Sequence, residues 1–246
     1  MKEKREWRVY NRKRWAMALS VFLFLAVVFW QTETVREEAD ARVYEVYCLG
    51  DSITYGSGLS DAERVSASYP AQLKQLLGAR YTIMNYGVPG ATLQDTTEKS
   101  YRNTGYIEIT EMHSPDILLI MLGTNDSKPA YWDATRYKAQ YVELVQELKQ
   151  IESCPYIYLM APPEAFPGAD GNILYGIDNE VIHGQVREIV REVAEQTGVG
   201  MIDLYAVTEG HVEYFGDGVH PNAQGYALLA EAVADRIRQD KQAGAY

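Results

Sequence analysis

Between residues 43 and 205 the chain repeats one pattern, a short apolar run followed by a longer stretch whose apolar positions recur every three or four residues. The runs are Val43–Leu49, Tyr81–Asn85, Ile117–Leu122, Tyr156–Met160 and Met201–Tyr205. Their starts lie roughly 35 to 45 residues apart, room for one strand, one helix and two loops. Among the intervening stretches, Tyr137, Tyr141, Leu144, Val145, Leu148 and Ile151 fall on one face of a helix with a period of about 3.6 residues. Ile182, Val186, Ile189 and Val193 predict another helix, and Tyr226, Leu229, Val233 and Ile237 a final one. Strands apolar on both faces and alternating with helices predict a parallel sheet with right-handed crossovers, a three-layer α/β/α sandwich of five strands. No internal repeat, low-complexity tract or second domain interrupts the pattern over residues 43–246.

The N-terminal pattern is different. Trp15 to Thr32 form 18 residues without a charge, a length that spans about 27 Å as a helix. Residues 1–14 ahead of it carry seven Lys and Arg against two Glu, the asymmetry of a cytoplasmic flank. The segment is therefore expected to be a transmembrane signal-anchor (15–32) that leaves a stem (33–42) and the body outside the membrane. The rival is a cleaved signal peptide, for which Ala39-Asp40-Ala41 offers an A-x-A match behind several charges.

Charge narrows the function classes. The chain carries −11 overall, and with +5 in residues 1–14 the remainder carries −16. An acidic body repels phosphate backbones, so nucleic acid is excluded as an expected partner. The two cysteines, Cys48 and Cys154, form no Cys-x-x-Cys pair or zinc-type spacing and are expected to be small buried hydrophobes.

In a parallel α/β sheet ligands bind beyond the carboxyl ends of the strands. The residues there are Gly50-Asp51-Ser52, Asn85-Tyr86-Gly87-Val88-Pro89-Gly90 and Gly123-Thr124-Asn125-Asp126, and a later loop brings Asp217-Gly218-Val219-His220 to the final helix. Each alone has a plain structural reading: Ser52 or Asn125 as a helix cap, Gly90 as a turn, Asp217 as an Asx-turn. Together they supply a hydroxyl nucleophile, an imidazole base, a carboxylate to orient it and donors for an oxyanion, the parts that acyl transfer requires. The pattern around Ser52 lacks the Gly-x-Ser-x-Gly of the α/β-hydrolase elbow, and no His-Glu-x-x-His is present. His113, His183 and His211 are scattered and carry no expected role.

The run GDSITYG, the glycine of NYGVPGAT, the asparagine of GTND and the DGVH block are similar to the four signature blocks of the SGNH/GDSL hydrolase family, in that family's order. The resemblance implies a flavodoxin-like fold and ester hydrolysis without a metal or organic cofactor. It implies Ser52 as nucleophile, His220 as general base and Asp217 as its orienting carboxylate. The implied oxyanion hole is the N–H of Ser52, the N–H of Gly90, chosen over Gly87, and the Asn125 side chain.

Asp51, Lys128, Tyr131 and Trp132 are candidate substrate contacts on the same edge. The GTNDSKP run followed by tryptophan is similar to that of SGNH enzymes grouped with carbohydrate acetylesterases, so the expected substrate is a small acyl, above all acetyl, ester of an extracellular glycan. Lysophospholipid hydrolysis beside the membrane and acyl transfer to a cell-wall sugar remain as alternatives. A non-catalytic glycan-binding domain is the opposing class, and it would not require a poised nucleophile and base. The pattern leaves oligomeric state open.

Overall fold

The structure, a computed structural model, describes Val27–Phe29 and residues 42–246. The basic segment 1–14, the stem up to residue 41 and all of the expected anchor 15–32 except Val27–Phe29 lie outside the described residues. Those three residues are helical and exposed, and among the described residues no helix is long and apolar enough to cross a membrane. The chain divides into two units, Met1–Arg42 and Val43–Tyr246, and the sheet belongs wholly to the second.

Five parallel strands, β1 (Tyr44–Gly50), β2 (Tyr81–Gly87), β3 (Ile117–Met121), β4 (Tyr156–Ala161) and β5 (Gly200–Asp203), lie in the order β2-β1-β3-β4-β5. Chain direction across the sheet reverses at β1, which pairs with β2 on one side and β3 on the other. Beyond the carboxyl ends of β1 and β3 is the crevice where such a fold takes ligands.

Alternating side chains feed two cores. Tyr47 and Leu49 of β1 and Leu118 and Ile120 of β3 face one layer, where Tyr137, Tyr141, Leu144, Val145 and Leu148 of an amphipathic helix pack. Val46 and Cys48, with Ile117, Leu119 and Met121, face the other, against Tyr226, Leu229, Val233 and Ile237 of the C-terminal helix Ala223–Gln242. Buried tyrosines keep their hydroxyls paired: Tyr137 donates to the Leu122 carbonyl at 2.8 Å and Tyr141 to that of Ile120 at 3.2 Å. Burial of such hydroxyls without partners would cost stability, so these bonds also fix the helix against the strand.

Three expectations change. The fifth strand stops at Asp203 because that carboxylate accepts the Ala206 N–H and caps a helix, Leu204–Thr208, so Leu204 and Tyr205 are helical. The pattern through Ile182 and Val186 is a π-helical segment, Ile182–Val186, leading into the α-helix Arg187–Thr197. Cys48 is buried as expected, but Cys154 is exposed in a left-handed turn at φ 49°, where the chain reverses before β4.

Leu229 is fully buried under the sheet. Leu229→Ala is expected to cost about 2–5 kcal/mol, read as a lower urea midpoint with an unchanged slope.

Candidate active site

β1 delivers the first group. Asp51 leaves the strand and caps the short helix Ser52–Tyr55, its Oδ1 accepting the Ile53 N–H at 2.9 Å. The capping role thus falls to Asp51, which leaves Ser52 as the first helical residue. An N–H at that position has no intrahelical partner, and among the described residues no acceptor takes the Ser52 N–H.

The loop before the C-terminal helix delivers the second and third groups. Asp217 Oδ1 accepts the N–H of Val219 at 2.9 Å and of His220 at 2.7 Å, closing a turn that Gly218 permits at φ 81°. A side chain at Gly218 would also meet the Phe166 carbonyl oxygen at 2.2 Å. The turn brings Asp217 Oδ2 to 2.7 Å from His220 Nδ1, and His220 Nε2 lies 3.0 Å from Ser52 Oγ. Burial works against ionisation of Asp217, yet the His220 N–H, the His220 ring and the Val219 N–H together hold its carboxyl below the usual range. The imidazole is therefore oriented by a carboxylate that stays charged.

The remaining groups come from the loops after β2 and β3. Ser52, Gly90, Asn125, Asp217 and His220 line one cavity of about 510 Å³. A larger cavity of about 670 Å³ lies against β2 beside Arg64, Lys74 and Tyr106 and contains none of these groups, so chemistry and not size selects the smaller one. Gly90 and Gly87 separate cleanly. The Gly87 N–H is taken by Asn85 Oδ1 at 2.9 Å, whereas no acceptor among the described residues takes that of Gly90, which turns at φ 84°. The Asn125 amide donates to the Ala91 carbonyl at 3.2 Å and to Asp51 Oδ2 at 3.4 Å, both long for N–H···O bonds.

Beneath these groups lie two fully buried carboxylates. Burial pushes Asp51 up to about 6, opposed first by the Ile53 N–H. Burial likewise pushes Asp126 up to about 6, opposed by the N–H groups of Gln94 and Leu93, which it accepts at 2.9 and 3.0 Å. These bonds tie the loop after β2 to the loop after β3, so the walls of the cavity are held from below.

Of the four candidate substrate contacts only Lys128 lines the cavity. Asp51 is fully buried and structural. Trp132 turns back onto the core, its ring 5.2 Å from that of Tyr137 and its Nε1 donating to Gln185 at 3.0 Å. Tyr131 is exposed but outside the lining, its backbone carbonyl held by Gln94 Nε2. The sequence reading missed Lys99 and Tyr175, both in the lining. Tyr175 donates its hydroxyl to Asp217 Oδ2 at 3.2 Å and sets its ring edge-on to His220 at 5.3 Å, from a backbone at φ 62° that non-glycine residues rarely adopt. His113, His183 and His211 are absent from the lining. Among the described residues no cluster of three His, Cys, Asp or Glu side chains is placed to hold a metal.

Residues 48–228 match the model of the GDSL-like Lipase/Acylhydrolase family. The chain is 32% identical over 213 residues to an acetylxylan esterase of Xylanibacter ruminicola, a match that covers 78% of this chain and 43% of that protein. The chain spans less than half the length of the curated relatives it matches. A provisionally assigned arylesterase of Agrobacterium tumefaciens superposes with a TM-score of 0.69 at 26% identity, covering 80% of this chain and 99% of that one. A carbohydrate acetylesterase of Sinorhizobium meliloti superposes at 0.65 and 23% identity with the same two coverages, a likeness of fold.

The raised carboxyl of Asp126 makes a stability prediction. Its unfolded carboxyl titrates at about 4, so between about pH 4 and about pH 6 the folded state holds the extra proton, and stability falls as pH rises through that window. Asp126→Asn is expected to flatten this decline in urea unfolding, by up to about 2–3 kcal/mol across the window. Equal pH slopes in variant and wild type would refute the assignment.

Proposed function

The chain belongs to the GDSL-like Lipase/Acylhydrolase family, and from that premise we propose that it is a serine esterase that removes acetyl groups from carbohydrate. The observation that carries the reading is the line Ser52 Oγ, His220 Nε2 at 3.0 Å, and Asp217 Oδ2 at 2.7 Å from His220 Nδ1. Ser52 Oγ attacks the acyl carbon while His220 Nε2 takes its proton, and Asp217 holds the imidazole tautomer and stabilises the imidazolium. The oxyanion is met by the N–H groups of Ser52 and Gly90 and by the Asn125 amide, whose present bonds are long enough to give way. The imidazolium then protonates the sugar oxygen as its bond to the acyl carbon breaks, leaving acyl-Ser52; water, giving a proton to His220, attacks that ester, and the proton returns to Ser52 Oγ as the carboxylic acid departs. The carbohydrate substrate rests on the acetylxylan esterase relative, and the Tyr175 ring in the cavity lining offers a face for a sugar. As part of the same proposal, the uncharged segment 15–32 anchors the protein with residues 43–246 on the outer side of the membrane, through the stem 33–42.

The test compares wild type with Ser52→Ala on an aryl acetate, acetylated xylo-oligosaccharides and a lysophospholipid, with fluorophosphonate labelling alongside. Serine-dependent acetate release, with turnover falling by about 10³-fold or more in the variant, supports the reading. Folded protein without labelling or serine-dependent turnover overturns it. Asn125→Ala is expected to lower kcat by about 10² to 10³ with KM little moved. Tyr175→Phe removes one exposed donor to Asp217, and kcat/KM is expected to fall about two- to tenfold, measured on the aryl acetate.

A further inference from the structure

Two lysines share the cavity with the reacting groups. Lys99 lies along Gly90: a Cβ built on that glycine would come within 2.9 Å of both Cδ and Nζ of Lys99. Lys128, three residues after Asn125, lines the same space with its ammonium 5.9 Å from the ring centre of Tyr131. Burial, and next the charge of Lys99, hold the Lys128 ammonium below the usual lysine range. Two cations that repel one another are therefore kept at one wall of the site.

Among the described residues no carboxylate forms an ion pair with either ammonium. The acidic groups that act on Lys128 are Asp51 and Asp126, both buried and both already accepting backbone N–H groups. Elsewhere the chain is strongly acidic, −11 overall, so an anion is repelled by the body as a whole. A cation pair without an ion-pair partner among the described residues, in the cavity of the reacting groups, is a specific exception, and like charges so placed are relieved by a ligand of opposite sign.

We propose that Lys99 and Lys128 form a subsite for an anionic group carried by the ester substrate, a carboxylate or a phosphate on the sugar beside the scissile ester. This rests on the esterase reading and narrows it to acidic glycans. Lys99 at Gly90 and Lys128 beside Asn125 put the anion next to the oxyanion donors, so the subsite aligns the acyl carbon with Ser52 while keeping its own charge off the reacting atoms.

The experiment measures kcat/KM of the full chain on acetylated glucose, acetylated glucuronate and acetylated glucose phosphate, at low and high salt. Wild type is expected to prefer one acidic ester to the neutral one by at least tenfold, with the preference shrinking at high salt. Which acidic ester leads separates carboxylate from phosphate. The Lys99→Met/Lys128→Met protein is expected to lose the preference at least tenfold, and Lys99→Arg/Lys128→Arg to retain most of it. Equal kcat/KM on neutral and acidic esters in wild type overturns the subsite while leaving the esterase intact. If no ester is turned over, calorimetric titration with glucuronate and with inorganic phosphate decides separately: binding by wild type that the double Met protein loses upholds the subsite without the esterase, and no binding removes it.

Discussion

One buried carboxylate ties the site together. Asp51 has no exposure to water, and a charge or polar group taken that far from solvent must be satisfied by neighbours. Its two oxygens find the Ile53 N–H and the Asn125 amide, one in the helix after β1 and one in the loop after β3. The hydroxyl of Ser52 and the side chain of Asn125 are thus referenced to a single group that has no chemistry of its own to perform. Asp126 does the same one layer across, binding the loop after β2 to the loop after β3. Both carboxyls are pushed up to about 6 by burial, a cost that the surrounding bonds only partly offset.

The histidine side of the site follows a different rule. Its precision is local: Asp217 and His220 are three residues apart on one turn, so their 2.7 Å contact needs no long-range agreement between elements. Only the Ser52 to His220 distance depends on how the C-terminal helix seats on the sheet, and the fully buried Tyr226, Leu229, Val233 and Ile237 set that seating. Rigidity at the strand edge and self-sufficiency in the turn divide the work of pre-organisation between them.

The sheet was legible because strands buried on both faces carry continuous apolar runs, and the order of the blocks made the crevice legible as well. The fifth strand was read too long, since the apolar Leu204 and Tyr205 continue the run while the Asp203 carboxylate ends it by capping a helix. Sequence places Trp132 and Tyr131 just past Asn125, but the loop turns back, so Tyr137 and Gln185 claim the indole and Tyr131 lies exposed outside the cavity lining. Tyr175 and Lys99 left no signal. Tyr175 sits in an aperiodic stretch after β4 and reaches Asp217 only through a left-handed backbone, and Lys99 meets Gly90 through a loop whose path no periodicity encodes.

The nucleophile and its base are separated by 168 residues of chain. During synthesis Ser52 emerges among the first parts of the sheet and His220 among the last, immediately ahead of the helix that closes the second core. A nascent chain that lacks the Asp217–His220 turn carries an inert serine alcohol, so the hydroxyl gains its base only once the segment after β5 has been added. The reactivity of Ser52 therefore reports that strand edge, turn and final helix have come together: a fragment that ends before Asp217 carries the serine without the base that activates it.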